Sequence, residues 1–328
     1  MKVLFLSDLG PDSPADHGLS GPQRFARAFS SAISGRVSLT IVNLSEGNKL
    51  SRSLTCLGGY DIYHVSGVSF LEPLLAGFRS GRRLIYTSHG ILAHEARAGY
   101  QYPKRMFWAE NILVGKARAI ACVSNSLCSN MAREFGLDPQ KLTVIPPAVD
   151  PSLFETEPLD SGFPSPYILF PGSGPTKGLQ HAIKAFEIAR RSVPDLNLVA
   201  VSESSGPDKP GIIWSNPLPT NILVGAYLRS ELILNTSEYE TFGLPIIEAA
   251  ALGRPFLVSE GSGVSDFVRQ DFPELVIDPE DHESTAVRIV EVLEDPPSPD
   301  ALKTWADRFS PERIAEEYMG LYREVGAN

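Results

Sequence analysis

Apolar residues recur along the whole chain in short runs that are separated by amphipathic stretches. The first 150 residues contain β-rich apolar runs at 2–7, 37–42, 61–65, 83–87, 119–123 and 142–145. Residues with helical periodicity fill the intervals near 21–34, 70–79, 101–117 and 125–135. Strands that alternate with helices in this way predict a parallel, doubly wound sheet.

A stretch rich in proline and acidic residues interrupts the alternation at 146–166. We expect no regular element there and interpret it as a linker. Beyond it, strands are predicted near 167–171, 196–201, 211–214, 231–235, 255–258 and 274–277. Helices are predicted near 178–193, 219–229, 245–252, 263–270 and 282–294. The pattern therefore predicts an α/β protein with a second Rossmann-like domain.

The predicted domains are an N-terminal domain at 1–150 and a C-terminal domain at 151–310. A last helix is expected at 311–326, where Ser310 can cap it and Pro311 can occupy its first turn. We expect the segment 311–328 to return to the N-terminal domain.

Length and composition fit a globular protein with two cores of ordinary size. The chain has 328 residues, of which 43% are hydrophobic and 21% charged. Its N-terminal apolar run is too short for a signal peptide, and no run approaches the roughly 18 apolar residues of a spanning helix. The three cysteines have no C-x-x-C spacing, so we expect a reducing, cytoplasmic environment.

Charge is distributed unevenly between the two halves. Residues 1–150 contain 16 Lys and Arg against 11 Asp and Glu, whereas residues 151–328 contain 13 against 28. The acidic half argues against nucleic acid as a partner, and the basic half could face anionic lipid or an anionic acceptor.

Two acids eight positions apart, Glu240 and Glu248, flank a Phe-Gly turn and Pro245. Because proline is favoured in a first helical turn, we expect a helix to begin near Leu244. N–H groups at its positive end would form an anion site for a diphosphate. These groups belong to Thr241, Phe242, Gly243 and Leu244. The alternative is a capped surface helix with solvated acids.

Other candidates follow predicted strands, where parallel sheets bind ligands. After the strand at 167–171, Gly172 and Ser173 lie in a glycine-rich turn that ends near Lys177, a cation suited to a diphosphate. His89 follows the fourth strand and could bond a sugar hydroxyl or phosphate, although a lone histidine is often structural. We interpret His64 as structural.

The first strand is followed by Gly18 and Gly21, just ahead of a predicted helix. A close approach of this backbone to phosphate or acceptor and an ordinary flexible loop are both compatible with the pattern.

Several segments together resemble the GT-B glycosyltransferases of the large retaining family 4. They are SEYETFGLPIIEAAALGRP, GPTKG and TSHG after strands, ACVSNS, and PPAVD in the linker. The resemblance implies an acceptor-binding domain at 1–150 and a nucleotide-sugar-binding domain at 151–310, which face each other across a cleft. It also implies transfer of a sugar from a nucleotide diphosphate sugar with retained configuration. It implies no metal ion or other cofactor, and the absence of D-x-D counts against a metal-dependent GT-A enzyme.

The resemblance also implies roles for particular residues. Lys177 would bind the diphosphate, Glu240 would approach the donor sugar, and Glu248 would hold the ribose. His89 would lie beside the transferred sugar, which makes it a catalytic candidate with Glu240 and Lys177. Gly21 would lie against the donor phosphate or the acceptor.

The chain departs from the family pattern at the diphosphate site. Members of the family usually carry an arginine several residues before the lysine. Between Pro166 and Ala189, however, this chain has no arginine, and its lysines there are Lys177 and Lys184. Arg24, in the first predicted helix, is a candidate substitute. The base-binding region is short, and we expect Trp214 to contact the base.

Three functions remain open. The preferred one is a retaining glycosyltransferase that acts on a glycan, lipid or small-molecule acceptor. A glycan phosphorylase or sugar-nucleotide epimerase of the same fold is the second. A non-catalytic nucleotide-sugar-binding protein is the third, because the usual arginine is missing.

The segment 96–119 mixes basic and aromatic residues. It could lie on an anionic membrane on the cytoplasmic face, or it could be an ordinary helix with a packed apolar face and a solvated basic face.

Overall fold

The computed structural model describes residues 1–7, 21–45, 48–68, 71–202 and 205–327. They pack as two units. The first contains the described residues up to Asp150 together with those from Phe309 onward, and the second contains Pro151–Arg308. Gly18 lies outside the described residues.

The first unit is built on a six-stranded sheet in the order β2-β1-β3-β4-β5-β6, in which all neighbours are parallel. The strands are β1 Lys2–Ser7, β2 Ser38–Asn43, β3 Ile62–Ser66, β4 Leu84–Ser88, β5 Ala119–Cys122 and β6 Leu142–Val144. The three strands β3, β4 and β5 are buried along their whole length, which explains their continuous apolar sequences. All six lie within about two residues of the predicted positions.

Helices cover this sheet. They are α1 Gly21–Ile33, α2 Lys49–Cys56, α3 Glu72–Ser80, α4 Leu92–Arg97, α5 Lys104–Lys116, α6 Asn125–Phe135 and the C-terminal helix, α14 Pro311–Gly326. The sequence analysis missed α2 and α4. Helix α2 has only eight residues, of which only Cys56 is buried, so it lacks the long, core-facing apolar pattern from which a helix is predicted. Its start is instead set by Asn48, which accepts hydrogen bonds from Leu50 N and Ser51 N.

The C-terminal helix packs against α1 in the first unit, as expected. Its Tyr322 hydroxyl lies 2.6 Å from His64 Nδ1, and its Tyr318 hydroxyl lies 2.9 Å from Thr87 Oγ1. Thr87 Oγ1 also lies 2.7 Å from His64 Nε2. The structural interpretation of His64 is therefore confirmed, because both ring nitrogens have partners inside the core.

Acidification should destabilise the first unit through His64. Burial, followed by the nearby His89, lowers the pKa of His64 from 6.5 to about 3. Below pH 6.5 the unfolded chain binds a proton that the folded chain rejects, so stability falls as the pH falls. At about pH 5.5 the resulting loss in the free energy of unfolding is about 1.4 kcal/mol.

Glutamine cannot titrate, so His64→Gln should reduce the dependence of Tm on pH between about pH 7 and 5; His89, whose pKa is also lowered by burial, accounts for part of the dependence that is left. His94→Gln is the control, since His94 is only partly buried and pairs with Glu134. An unchanged slope in His64→Gln would contradict this account.

The second unit contains another parallel six-stranded sheet, in the order β12-β11-β10-β7-β8-β9. Its strands are β7 Tyr167–Pro171, β8 Asn197–Val201, β9 Ile212–Ser215, β10 Leu232–Asn235, β11 Phe256–Ser259 and β12 Val276–Ile277. Its helices are α7 Ser152–Glu155, α8 Leu179–Ala189, α9 Thr220–Arg229, α10 Leu244–Ala251, α11 Ser265–Asp271, α12 His282–Glu294 and α13 Pro299–Ala306.

Two of these helices correct the sequence analysis. The linker at 146–166 was expected to exclude regular structure, but Pro151 precedes one helical turn, α7, whose Leu153 is buried. The helix α13 was missed, although Pro299 occupies its first turn and Trp305 anchors it in the core. Among the described residues, no helix is long and apolar enough to cross a membrane.

Candidate active site

In the second sheet the strand order reverses between β7 and β10, which makes this pair the topological switch point of the sheet. The two strands are hydrogen-bonded neighbours, with β8 and β9 on one side and β11 and β12 on the other. Loops that leave such strands turn away from each other and open a crevice at the carboxyl ends. The loop after β7 carries Lys177, and the loop after β10 carries Glu240.

These two side chains form an ion pair, with 2.5 Å between Lys177 Nζ and Glu240 Oε1. The second carboxylate oxygen, Oε2, accepts from Asn235 Nδ2 at 2.7 Å and from Ser237 Oγ at 2.9 Å. Asn235 is itself fixed, since its Oδ1 accepts from Ser237 N at 3.1 Å. Glu240 is thus held in one orientation by three side chains.

The electrostatic environment keeps Glu240 ionised. Burial by itself would raise the pKa of this carboxyl, but the charge of Lys177 and the hydrogen bonds from Lys177, Asn235 and Ser237 outweigh burial and lower the pKa. The Glu240 side chain is 10% exposed and that of Lys177 is 25% exposed. The pair therefore presents a fixed anion and a partly accessible cation.

Both side chains line a pocket that is open to solvent. Its lining consists of Phe170, Pro171, Gly172, Lys177, Leu234, Asn235, Ser237, Glu240 and Pro245. Of the residues proposed from the sequence, Gly172, Lys177 and Glu240 come together here. Asn235 and Ser237 were not predicted from the sequence, although a polar Asn-Thr-Ser run at the end of a buried strand is a signal for a site.

A close approach between the two loops depends on Gly178. Its φ is +68°, and a Cβ at this position would lie 1.9 Å from the backbone oxygen of Thr236. Thr236 also donates its hydroxyl to the Gly178 oxygen at 2.8 Å. Glycine therefore allows the β7–α8 loop to contact the loop after β10, which brings Lys177 to Glu240.

Gly178→Ala should destabilise the protein by more than the strain of a left-handed backbone alone, which costs about 1–3 kcal/mol. The added Cβ would also clash with the Thr236 oxygen. Urea unfolding measures this loss. Gly162→Ala is a matched control: its φ is +70°, but nothing lies within 4 Å of the added Cβ. Equal losses in the two variants would contradict the role of the close contact.

The helix that follows the site, α10, begins at Leu244 with Pro245 in its first turn, as predicted. Gly243 precedes it with a φ of +116°. The Phe242 side chain is buried against Phe267, and its carbonyl oxygen accepts from Val264 N at 2.7 Å. The turn that contains Thr241, Phe242 and Gly243 is thus fixed before the helix begins.

Glu248 points to a different environment from Glu240. Its side chain is buried in α10, and the Tyr227 hydroxyl donates to its Oε2 at 3.1 Å. Glu248 does not belong to the lining of the pocket described above. Its expected contact with ribose stays a prediction.

The other candidates lie at separate places. Ser173 is in the β7–α8 loop, and Trp214 is on β9 with its Nε1 donating to the Pro207 oxygen at 3.3 Å. Gly21 is the exposed first residue of α1. His89 follows β4 in the first unit, with 2.9 Å between its Nε2 and Ser66 Oγ.

His89 is neutral at physiological pH. Burial lowers the pKa of this side chain from 6.5 to about 4. Ser66 ends β3 and His89 follows β4, so both lie at the carboxyl edge of the first sheet. An uncharged imidazole at such an edge can donate or accept one hydrogen bond to a ligand.

Comparison with known proteins assigns both halves of the sequence to one enzyme family. Residues 10–153 match the model of Glycosyltransferase Family 4, and residues 157–308 match that of Glycosyl transferases group 1. The chain belongs to glycosyltransferase family 4. The resemblance inferred from the motifs and the GT-B fold class are thereby confirmed.

The curated relatives of this family 4 protein are distant. D-inositol 3-phosphate glycosyltransferase of Segniliparus rotundus is 25% identical over 75% of the chain and 62% of its own length. Alpha-maltose-1-phosphate synthase of Mycolicibacterium smegmatis is 24% identical over 88% of the chain and 82% of its own length. The chain thus spans less than two thirds of the first of these relatives.

Solved structures of similar fold cover almost the whole chain. HepE of Anabaena in complex with UDP-glucose has a TM-score of 0.75 at 16% identity, covering 99% of this chain and 100% of the other. Sucrose-phosphate synthase of Thermosynechococcus elongatus has a TM-score of 0.71 at 18% identity, covering 99% of each chain. At these identities the likeness establishes the fold alone.

This family 4 protein lacks the arginine that members usually carry before the lysine, and Arg24 stays the candidate substitute for it. Arg24 lies in the first turn of α1, in the first unit. If it substitutes for the missing cation, Arg24→Ala should reduce turnover, since a cation that stabilises the leaving group is worth about 10²–10³ in rate. Initial-rate measurements test this, and unchanged turnover would contradict it.

Proposed function

We propose that the pocket around Lys177 and Glu240 binds the diphosphate and sugar of a nucleotide-sugar donor, and that the enzyme transfers the sugar with retained configuration and no metal ion. The ion pair between these side chains carries the proposal. It places the cation suited to the leaving phosphate next to the acid suited to the sugar, in one pocket at the switch point of the second sheet.

The chemistry determines what each residue does. Cleavage of the sugar–phosphate bond leaves negative charge on the diphosphate and positive character on the sugar carbon. Lys177 stabilises the first charge and the Glu240 carboxylate stabilises the second. Donor binding requires Lys177 to exchange part of its contact with Glu240 for the diphosphate, while Asn235 and Ser237 keep the carboxylate in place.

The donor is proposed to be a UDP-sugar, because HepE of Anabaena, which shares the fold, was solved with UDP-glucose. A thermal-shift panel of UDP-, GDP-, ADP- and dTDP-sugars tests this. A donor at about 100 times its Kd adds about 2.7 kcal/mol of stability.

The donor-induced shift in Tm should be lost in Glu248→Gln and kept in the exposed control Glu294→Gln. This result would support the ribose contact of Glu248. A shift with GDP-sugars alone would overturn the UDP proposal.

Acceptor binding is assigned to the first unit, with a glycan, a lipid-linked sugar or a small molecule as the acceptor class and the cytoplasm as the location. The relatives differ in the acceptor that their names imply, so acceptor identity requires assay.

A second candidate function is nucleotide-sugar binding without transfer, which the missing arginine favours. Stabilisation by a donor, with neither donor hydrolysis nor transfer to any acceptor tested, would support that second function over the first.

A further inference from the structure

Three neighbouring helices of the first unit expose large apolar side chains. Helix α2 packs against α3, and α3 packs against α5. The exposed apolar residues on them, each between 46% and 69% exposed, are Leu50, Leu54, Leu57, Phe78 and Trp108. Isolated exposed apolar residues are common, but five on adjacent helices are a feature of interaction surfaces.

Two of these residues lie beside basic side chains of a neighbouring helix. Arg79 on α3 donates its Nε to the Leu57 oxygen at the end of α2, at 3.1 Å. Lys116 on α5 lies 4.5 Å above the ring of Phe78 on α3. Leu50 and Leu54 are four residues apart and therefore share one side of α2. These exposed apolar residues, together with the exposed basic residues of the same three helices, are called the cationic face.

Every exposed charge on the three helices is positive. Their acids are Glu72 and Glu110, and both are buried. Glu72 pairs with Arg52, and Glu110 accepts from Leu92 N at 3.2 Å. The exposed charged residues are Lys49, Arg79, Lys104, Arg105 and Lys116. Basic residues that surround exposed apolar side chains are the combination that interfacial helices present to anionic lipid.

The structure also refines the interpretation of the segment 96–119. Tyr102 donates its hydroxyl to Glu95 and packs edge-on against Phe107, so these two aromatic residues serve the fold. Trp108 projects outward from α5 on the same helix as Lys104 and Arg105. The surface therefore extends to α2 and α3 rather than along the segment itself.

We propose that the cationic face docks the enzyme on an anionic lipid bilayer, with Leu50, Leu54, Phe78 and Trp108 inserted among the headgroups and the lysines and arginines beside lipid phosphates. The whole chain carries a net charge of −10, so its average field opposes such binding. Attraction must come from a local surface that concentrates positive charge and apolar area, and the cationic face does both. This inference does not depend on the donor or on sugar transfer.

Co-sedimentation of the full chain with vesicles tests the proposal. The protein should pellet with vesicles of phosphatidylglycerol and phosphatidylcholine at low salt, should pellet much less at about 0.5 M salt, and should not pellet with phosphatidylcholine alone. Phe78→Ser/Trp108→Ser should weaken binding at least tenfold. Lys104→Gln/Arg105→Gln should also weaken it at least tenfold, because each cation near the surface contributes roughly fivefold.

Control variants carry the same changes on the second unit. Val287→Ser removes an apolar side chain that is 58% exposed on α12, and Arg288→Gln removes a cation next to it. Both controls should bind vesicles like the wild type. All variants should keep the wild-type Tm and the wild-type donor-induced shift in Tm, which separates this test from that of the proposed function.

Two results would overturn the proposal. One is absence of binding to anionic vesicles at low salt, or binding that the face variants leave unchanged. The other is self-association: a dimer of the wild type in sedimentation velocity that Phe78→Ser/Trp108→Ser converts to a monomer would assign the cationic face to a second copy of the chain.

Discussion

Lys177→Met should slow sugar transfer by about 10²–10³-fold and should weaken donor binding. The variant keeps the length of the side chain but removes the cation that the pocket offers to the leaving diphosphate, and one such group is worth this factor in rate. It also leaves Glu240 buried without its counterion, so the pKa of Glu240 should rise. Initial rates and donor titrations by calorimetry measure both effects.

Lys184→Met is the matched control, because Lys184 is the other lysine near the β7–α8 loop and is exposed on α8. It should retain wild-type rates. Lys177→Arg should recover part of the loss, since it restores the charge with a different geometry. A Lys177→Met variant with the wild-type rate would show that the pocket does not bind the diphosphate.

The sequence predicted the sheets well because most strands are short apolar runs bounded by polar or amphipathic stretches. All twelve strands lie close to their predicted positions, and the strands buried on both faces have the clearest signals. Prediction failed where burial is slight. The helix α2 has eight residues and buries only Cys56, and α7 is a single turn, so both are too short for a helical pattern to stand out in the sequence.

The sequence predicts where the residues of the site lie along the elements, but it does not predict which side chains contact each other. Strand ends and glycine turns identified Lys177 and Glu240 as residues of one crevice. Their direct ion pair could not be predicted, because it depends on the contact of Gly178 with Thr236 across two loops. The hydrogen bonds of Asn235 and Ser237 to Glu240 likewise depend on the conformation of the loop after β10.

Glu240→Gln should separate donor binding from transfer. Glutamine keeps the size of the side chain and can still contact Asn235 and Ser237, but it cannot stabilise positive charge that develops on the sugar. We expect transfer to fall by roughly 10²–10³-fold. Donor affinity should stay equal or increase, because Lys177 no longer has a carboxylate that competes with the diphosphate. A lower kcat with an unchanged or lower donor Kd is the expected result.

Glu238→Gln provides the control for Glu240→Gln. Glu238 lies two positions earlier in the same loop, is exposed, and contacts Gln180 and His181 rather than Lys177. It should leave kcat and donor Kd near wild-type values. The two-parameter measurement also distinguishes the possible failures of the proposal. Loss of donor binding in Glu240→Gln would mean that the carboxylate holds the donor rather than the transition state. An unchanged kcat would remove Glu240 from the reaction, because its charge would then be needed only to neutralise Lys177.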